Sequence, residues 1–214
     1  MKESQLKQLA LELSTCDMCT LRDDCIAPVG WFGNADSPLV IVGEGPGQQE
    51  DQHGCPLIGK SGQLLDKALM SVGITRDRII TTNIVKCRPK DNKTPTLSEG
   101  SFCAGQWLEK ELAIIQPAVV IALGSVALHY LGNPQKRITK ERGIWFETSG
   151  GIPCITTYHP AYLLRQFGEN LKKAKWEVYY DLKAAMEKCL ERRPNYKFSS
   201  EESTDLFRLF PKRI

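Results

Sequence analysis

Cys16 and Cys19 form a C-x2-C pair within the polar segment CDMCTLRDDC, a spacing whose short turn aims two thiolates at one metal. Cys87 and Cys103 form a second, wider pair. Four such thiolates suit either a tetrahedral zinc ion or a [4Fe–4S] cluster, and spacing alone does not choose between them. Cys25, in the same polar segment, is a substitute ligand on the same grounds. Cys55 reads as a bystander, and Cys154 and Cys189, within apolar elements, as packed core thiols. A second pattern, GCPLIGKSG, sets Gly54, Gly59, Lys60 and Ser61 in the phosphate-loop register G-x-x-x-x-G-K-[ST], whose chemistry is the cradling of a nucleoside triphosphate.

A phosphate loop works where the turn joins a strand directly to a helix, so that backbone amides and the helix N-terminus converge on phosphate. Here the nearest strand, in PLVIVGEGPG, ends near Val42, and the acidic stretch GEGPGQQEDQH intervenes. Nucleotide hydrolysis is therefore not expected. SQLKQLALEL predicts an N-terminal helix, and Gln63 to Val72 an amphipathic one capped at Gly73. Buried strands are predicted within 78–89, 117–125 and 151–160, with a helical stretch over 98–115 and an edge strand in ERGIWFET. A long helix from about Asn170 to Leu190 closes the domain. Strands alternating with helices imply an α/β fold with a parallel sheet covered on both faces. Ligands in such folds bind at the carboxyl ends of the strands, so the loops after Val42, Thr82, Leu123 and Tyr158 are the ones that carry function.

The length of 214 residues fits one domain, taken as 1–192, followed by a polar tail over 193–214. With 42% apolar and 25% charged residues and no long apolar run, the chain reads as cytoplasmic, with no membrane partner and no leader. A net charge of +3 permits a nucleic-acid partner through a local basic face without requiring one. Eight cysteines in such a chain argue for a metal site over a disulfide framework.

Taken together, the C-x2-C at Cys16, VGEGPGQQED from Val42, GKSGQLLD from Gly59, TNIVKCRP from Thr82, Cys103, ALGSVA from Ala122 and HPAYLLR from His159 resemble the type-4 uracil-DNA glycosylases. These are the iron–sulfur branch of the uracil-DNA glycosylase superfamily. The pieces occur in the family's order over about residues 16 to 190. The resemblance implies a three-layer α/β/α sandwich around a four-stranded parallel sheet. It also implies a DNA-repair hydrolase that flips uracil from single- or double-stranded DNA and leaves an abasic site.

By the same resemblance, Cys16, Cys19, Cys87 and Cys103 ligate a structural [4Fe–4S] cluster. Glu44 faces the cationic sugar and positions water, while His159 donates a hydrogen bond to the developing uracil anion. Gly45, Glu50, Leu57 and Asn83 surround the base: Asn83 reads the uracil edge, and Glu50 crowds the C5 position against a thymine methyl. Lys60, Ser61, Ser125 and Arg165 contact DNA, and Leu163 and Leu164 wedge into the base stack. His53 and His129 gain no role, His129 reading as packing. Leu57 departs from the family, which usually carries an aromatic residue there to stack on the flipped base. That departure keeps a second reading open, a non-catalytic or altered-substrate DNA-damage-binding module of the same fold. A monomer is expected, and the tail segment STDLFRLF offers apolar residues suited to a sliding-clamp groove.

Overall fold

The computed structural model describes residues 1–200 and residue 212. Helix α1 (Lys2–Ser14) buries Leu6, Leu9 and Leu13, a spacing that lines one face of a helix. The chain then runs through β1 (Phe32–Gly33), β2 (Leu39–Gly43), α2 (Gln48–His53), α3 (Lys60–Ser71) and β3 (Ile80–Asn83). Next, α4 (Leu97–Cys103) passes through a π-helical segment, Ala104–Leu108, into α5 (Glu109–Ile115). β4 (Val119–Leu123), α6 (Gly124–Leu131), α7 (Ile138–Glu141), β5 (Trp145–Glu147), β6 (Pro153–Thr157), α8 (Pro160–Leu163) and α9 (Gly168–Arg192) complete the fold.

The strands form one sheet in the order β1-β3-β2-β4-β6-β5. Its inner strands, β3, β2, β4 and β6, are parallel and are the four expected. The sheet is nevertheless six-stranded, because antiparallel β1 and β5 flank it. β1 is two residues long, too short to leave a periodic signal. All of β2 and β4 is buried, as strands covered on both faces must be. Because side chains alternate along a strand, Val40 and Val42 enter one apolar layer with α1, α5 and the cysteines, while Leu39 and Ile41 enter the other with α3 and α9.

The expected strand over 78–89 is shortened to Ile80–Asn83. Beyond it, the amides of Ile84 and Val85 donate to the carbonyls of Gly43 and Glu44 at 3.0 and 3.1 Å, and the chain turns toward the cysteines. The loops after β2 and β3 thus run side by side. The domain also extends past residue 192. Thr75 N donates to Phe198 O at 2.8 Å, Tyr196 OH donates to Arg78 O at 2.6 Å, and Phe198 is buried, so residues 193–200 stay on the domain. The clamp-binding segment proposed for the tail lies outside the described residues. Among those described, no helix is long and apolar enough to cross a membrane.

Candidate active site

The turn that mimics a phosphate loop lies between two helices, because α2 separates β2 from it. Its amides are already engaged. Glu50 Oε1 accepts from Ile58 N at 2.9 Å and Gly59 N at 2.8 Å, and Oε2 accepts from Gly47 N at 3.1 Å. An internal carboxylate thus occupies the amides that a phosphate would need. On the other side, the buried guanidinium of Arg76 donates to the carbonyls of Leu57 at 3.0 Å and Gly62 at 3.3 Å and pairs with Asp66 at 2.8 Å. Gly62 has to lack a side chain, since a Cβ there would overlap the Leu57 carbonyl. Between these clamps Leu57 adopts φ +55°, a left-handed conformation unusual for a bulky residue.

Leu57 and Asn83 both border Gly43. A Cβ on Gly43 would stand 2.4 Å from Asn83 Oδ1 and 3.4 Å from Leu57 Cδ2. Asn83, at the end of β3, is fully buried, and neither Oδ1 nor Nδ2 has a hydrogen-bond partner. Buried amides are almost always paired, so an orphaned donor and acceptor on one side chain mark a ligand position.

One residue beyond Gly43, Glu44 lines a cavity of about 590 Å³ at the carboxyl end of the sheet. Gly45, Ser125, His159 and Arg165 line the same cavity. Burial pushes the Glu44 carboxyl above its ordinary range, partly offset by a hydrogen bond with Thr94. His159 follows β6 and caps α8, its Nδ1 accepting from Ala161 N at 3.1 Å. That bond leaves Nε2 as the protonated nitrogen of the neutral ring. Burial, with Arg165 nearby, lowers the His159 pKa to about 4, so the ring is a neutral donor at neutral pH. Gly124, at φ +82°, lets α6 start close against it; a Cβ there would lie 2.9 Å from that of His159.

The structure thus gathers Glu44, Gly45, Ser125, His159 and Arg165 around one cavity; Glu50, Leu57 and Asn83 do not line it, Leu57 and Asn83 being buried beside Gly43 and Glu50 bracing the turn. Lys60 and Ser61 open α3 and do not line the cavity. The two leucines of HPAYLLR diverge. Leu163 is buried in the apolar layer with α3 and α9, so it packs in the core, whereas Leu164 is exposed. His129 does line the cavity wall, although its ring is held by Lys136 O at 3.0 Å. Sequence reading missed Thr94, Tyr158 and Tyr162, which also line the wall. Tyr158 had a signal, standing directly before His159 at the strand end; Thr94, in the polar run KDNKTPT, had none.

On the opposite layer, Cys16 and Cys19 pack against the apolar cluster that contains Cys25, Cys87 and Cys103. Lys86 N donates to Cys103 Sγ at 3.3 Å. A hydrogen bond with Cys25 and burial both hold the Cys87 thiol protonated, and burial raises the Cys103 pKa to about 11. Among the described residues no three histidine, cysteine or carboxylate side chains are arranged to hold a metal ion. Three remote chain segments nonetheless deliver their thiols to one apolar neighbourhood. Beside it, Lys86 Nζ pairs with Glu111 Oε2 at 2.7 Å in a fully buried contact that also joins Thr82, the neighbour of Asn83.

Residues 31–183 match the family model described as the uracil DNA glycosylase superfamily. A type-4 uracil-DNA glycosylase from Thermotoga maritima is 37% identical over 188 residues, covering 87% of this chain and 97% of the relative. One from Archaeoglobus fulgidus is 32% identical, covering 88% and 96%. One from Sulfurisphaera tokodaii is 33% identical, covering 78% and 79%.

Proposed function

The chain belongs to the type-4 branch of the uracil-DNA glycosylase superfamily, and on that premise we infer how its own residues perform the reaction. It is a DNA-repair hydrolase that breaks the N-glycosyl bond of uracil in DNA. The bond breaks toward a cationic sugar and a uracil anion, and both need stabilising. Asn83 presents Nδ2–H and Oδ1 to the O4 and N3–H edge of the flipped base, which the amino group of cytosine cannot satisfy. This orphaned, buried amide is the observation that carries the assignment. His159, neutral and with its Nε2 proton fixed by the Ala161 contact, donates to the oxygen on which negative charge grows. Glu44 opposes the cationic sugar and orients the attacking water. Glu50 acts through the turn that it braces, setting the position of Leu57 at the base edge.

Leu164 serves as the exposed wedge, with Arg165 and Ser125 at the cavity mouth toward DNA backbone. Gly45 contributes backbone at the pocket rim, and Lys60 and Ser61 meet phosphate at the start of α3. Monomeric action in the cytoplasm, with the tail engaging a sliding clamp, completes the reading.

Cys16, Cys19, Cys87 and Cys103 would hold a [4Fe–4S] cluster. The donor chemistry fits: soft thiols from three chain segments share one apolar layer, and one already accepts a backbone amide, the contact that steadies a cluster ligand. When bound, the cluster supplies a cross-link between the N-terminal segment, the stretch after β3 and α4.

Free uracil released from a uracil-containing oligonucleotide, with an abasic site left behind, is the expected result. No release from either single-stranded or duplex substrate by iron-replete protein refutes the reading. Brown protein with an absorbance near about 400 nm and about four irons per chain supports the cluster. Colourless protein with one zinc refutes it.

A further inference from the structure

A second cavity, of about 380 Å³, lies on the other side of α8 from the first. That short helix is the partition between them. Tyr158 lines both, Tyr162 lines the first, and Pro160 and Leu163 line the second. The second cavity is an apolar groove walled by Leu64, Ala68 and Leu123, with Trp176 and Tyr179 along α9. Trp176 is 53% exposed although it is among the largest apolar side chains of the chain. It does not stand alone, since its ring stacks on Tyr180 at 6.0 Å and meets Tyr179 edge-on at 5.5 Å. Lys67, Lys172 and Lys175 rim the groove. Only Lys172 has an acid within ion-pair reach among the described residues, Glu169 at 4.0 Å, and that pair is exposed.

An apolar slot with a half-exposed aromatic platform and a lysine rim is how proteins hold an unpaired base by its flat face and its phosphates by charge. Position selects which base. When Leu164 enters the stack beside α8, uracil departs into the cavity that contains His159, and the base it was paired with is left without a partner at the same wedge. The groove lies on the other side of α8, the helix that Leu164 directly follows.

We propose that the groove between α3 and α9 takes the orphaned partner base of the uracil pair, stacked on Trp176, with the adjoining phosphates held by Lys172 and Lys175. The proposal rests on the uracil-excision reading and adds a second base site to it. The lysine rim supplies the charge that phosphates need, and α8, which walls the groove, leads directly into Leu164 and Arg165. Binding of duplex would therefore sense whether a base is present opposite uracil, and Trp176 would be the sensor.

The test compares two duplexes carrying a 2′-fluorinated uridine that resists excision, one facing guanine and the other facing an abasic residue. The unsubstituted chain is expected to bind the guanine duplex about tenfold more tightly, the size of one base–aromatic stack. Trp176→Ala should bring that preference close to one, and Trp176→Phe should retain most of it. Because Trp176 is half exposed, its loss should leave the fold intact, checked by circular dichroism. An unsubstituted chain with no preference, or a Trp176→Ala chain that keeps it, overturns the proposal. It also falls if Trp176 fluorescence responds to DNA only after residues 201–214 are deleted, which would make the tail the occupant. A dimer dispersed by Trp176→Ala would overturn it in favour of a second copy. Uracil release from a cleavable duplex is scored alongside. A chain that excises uracil but fails the preference test refutes the groove alone, and a chain that never excises uracil refutes the reading beneath it.

Discussion

Arg76 donates from Nη2 to the carbonyl oxygen of Leu57 at 3.0 Å, gripping the residue that borders Gly43 together with Asn83. On the following residues, Glu50 fixes the amides of Ile58 and Gly59. A bulky residue in the left-handed region costs on the order of 1–3 kcal/mol, and it persists because both clamps over-determine it. Leu57 is therefore held with its side chain beside Gly43, where the proposed base position would give it apolar contact without a stacking ring.

Leu57→Phe should raise kcat/KM on uracil-containing duplex by about fivefold to a hundredfold, the range of one base–aromatic contact. The buried site has little spare room, so a stability loss of about 1–3 kcal/mol is expected alongside. Steady-state kinetics and urea denaturation on the same protein measure both. A variant with unchanged kinetics would show that position 57 does not touch the base.

Asn83→Ala separates function from stability. Its unpartnered amide contributes nothing to the free protein's hydrogen bonding, so removing it should change stability by less than about 1 kcal/mol, since relief of an unsatisfied polar group offsets the small void. Uracil release should fall by about a hundredfold or more, because the pocket no longer reads the base. A stability loss of several kcal/mol with activity retained would mean that Asn83 is structural.

The pH profile has a definite sign. His159, with a pKa near 4, remains a neutral donor above that value, so it sets no inflection between pH 5 and 8. Glu44 works as a carboxylate and its pKa is raised, so activity should decline as pH falls through that raised value. Glu44→Gln should remove the acid limb and lower the rate by about 10² to 10³; His159→Ala should lower the rate comparably but leave the limb in place. Stability shows the same histidine in reverse. Unfolded His159 titrates near its ordinary 6.5, so its contribution is intact above that pH and is lost as pH falls toward 4. His159→Ala should therefore lose less stability than the unsubstituted chain between pH 7 and pH 5, measured by urea denaturation.

Lys86→Met leaves the Glu111 carboxylate buried without its cation and should cost about 3–5 kcal/mol, while Lys86→Met with Glu111→Leu should recover most of it. Denaturant midpoints test this. Because Thr82 joins the same contact next to Asn83, the single variant should also raise KM for uracil-containing DNA; an unchanged KM would confine Lys86 to stability.

The residues at strand ends were legible because a buried β-branched run followed by a polar loop has one physical reading, and it placed Glu44, Asn83 and His159 at the carboxyl edge of the sheet. What remained hidden was orientation. Leu163 and Leu164 have the same chemistry and adjacent positions, and only the start of α8 decides that one is buried and the other exposed. α2 is short and polar, QQEDQH, so no apolar period announced it. Without it, the destination of the Glu50 carboxylate could not be foreseen. The orphaned state of Asn83 is likewise a property of its surroundings rather than of its type.

The Glu50 contact with the turn has a consequence for selectivity in a crowded solution. A turn whose anion is built into the chain does not exchange it with solutes, so inorganic phosphate and nucleoside triphosphates find their one sequence-matched seat already taken. The ionic strength that weakens the grip on DNA has little leverage on a buried internal pair of this kind. Salt should loosen the enzyme from its track while the base pocket keeps its shape.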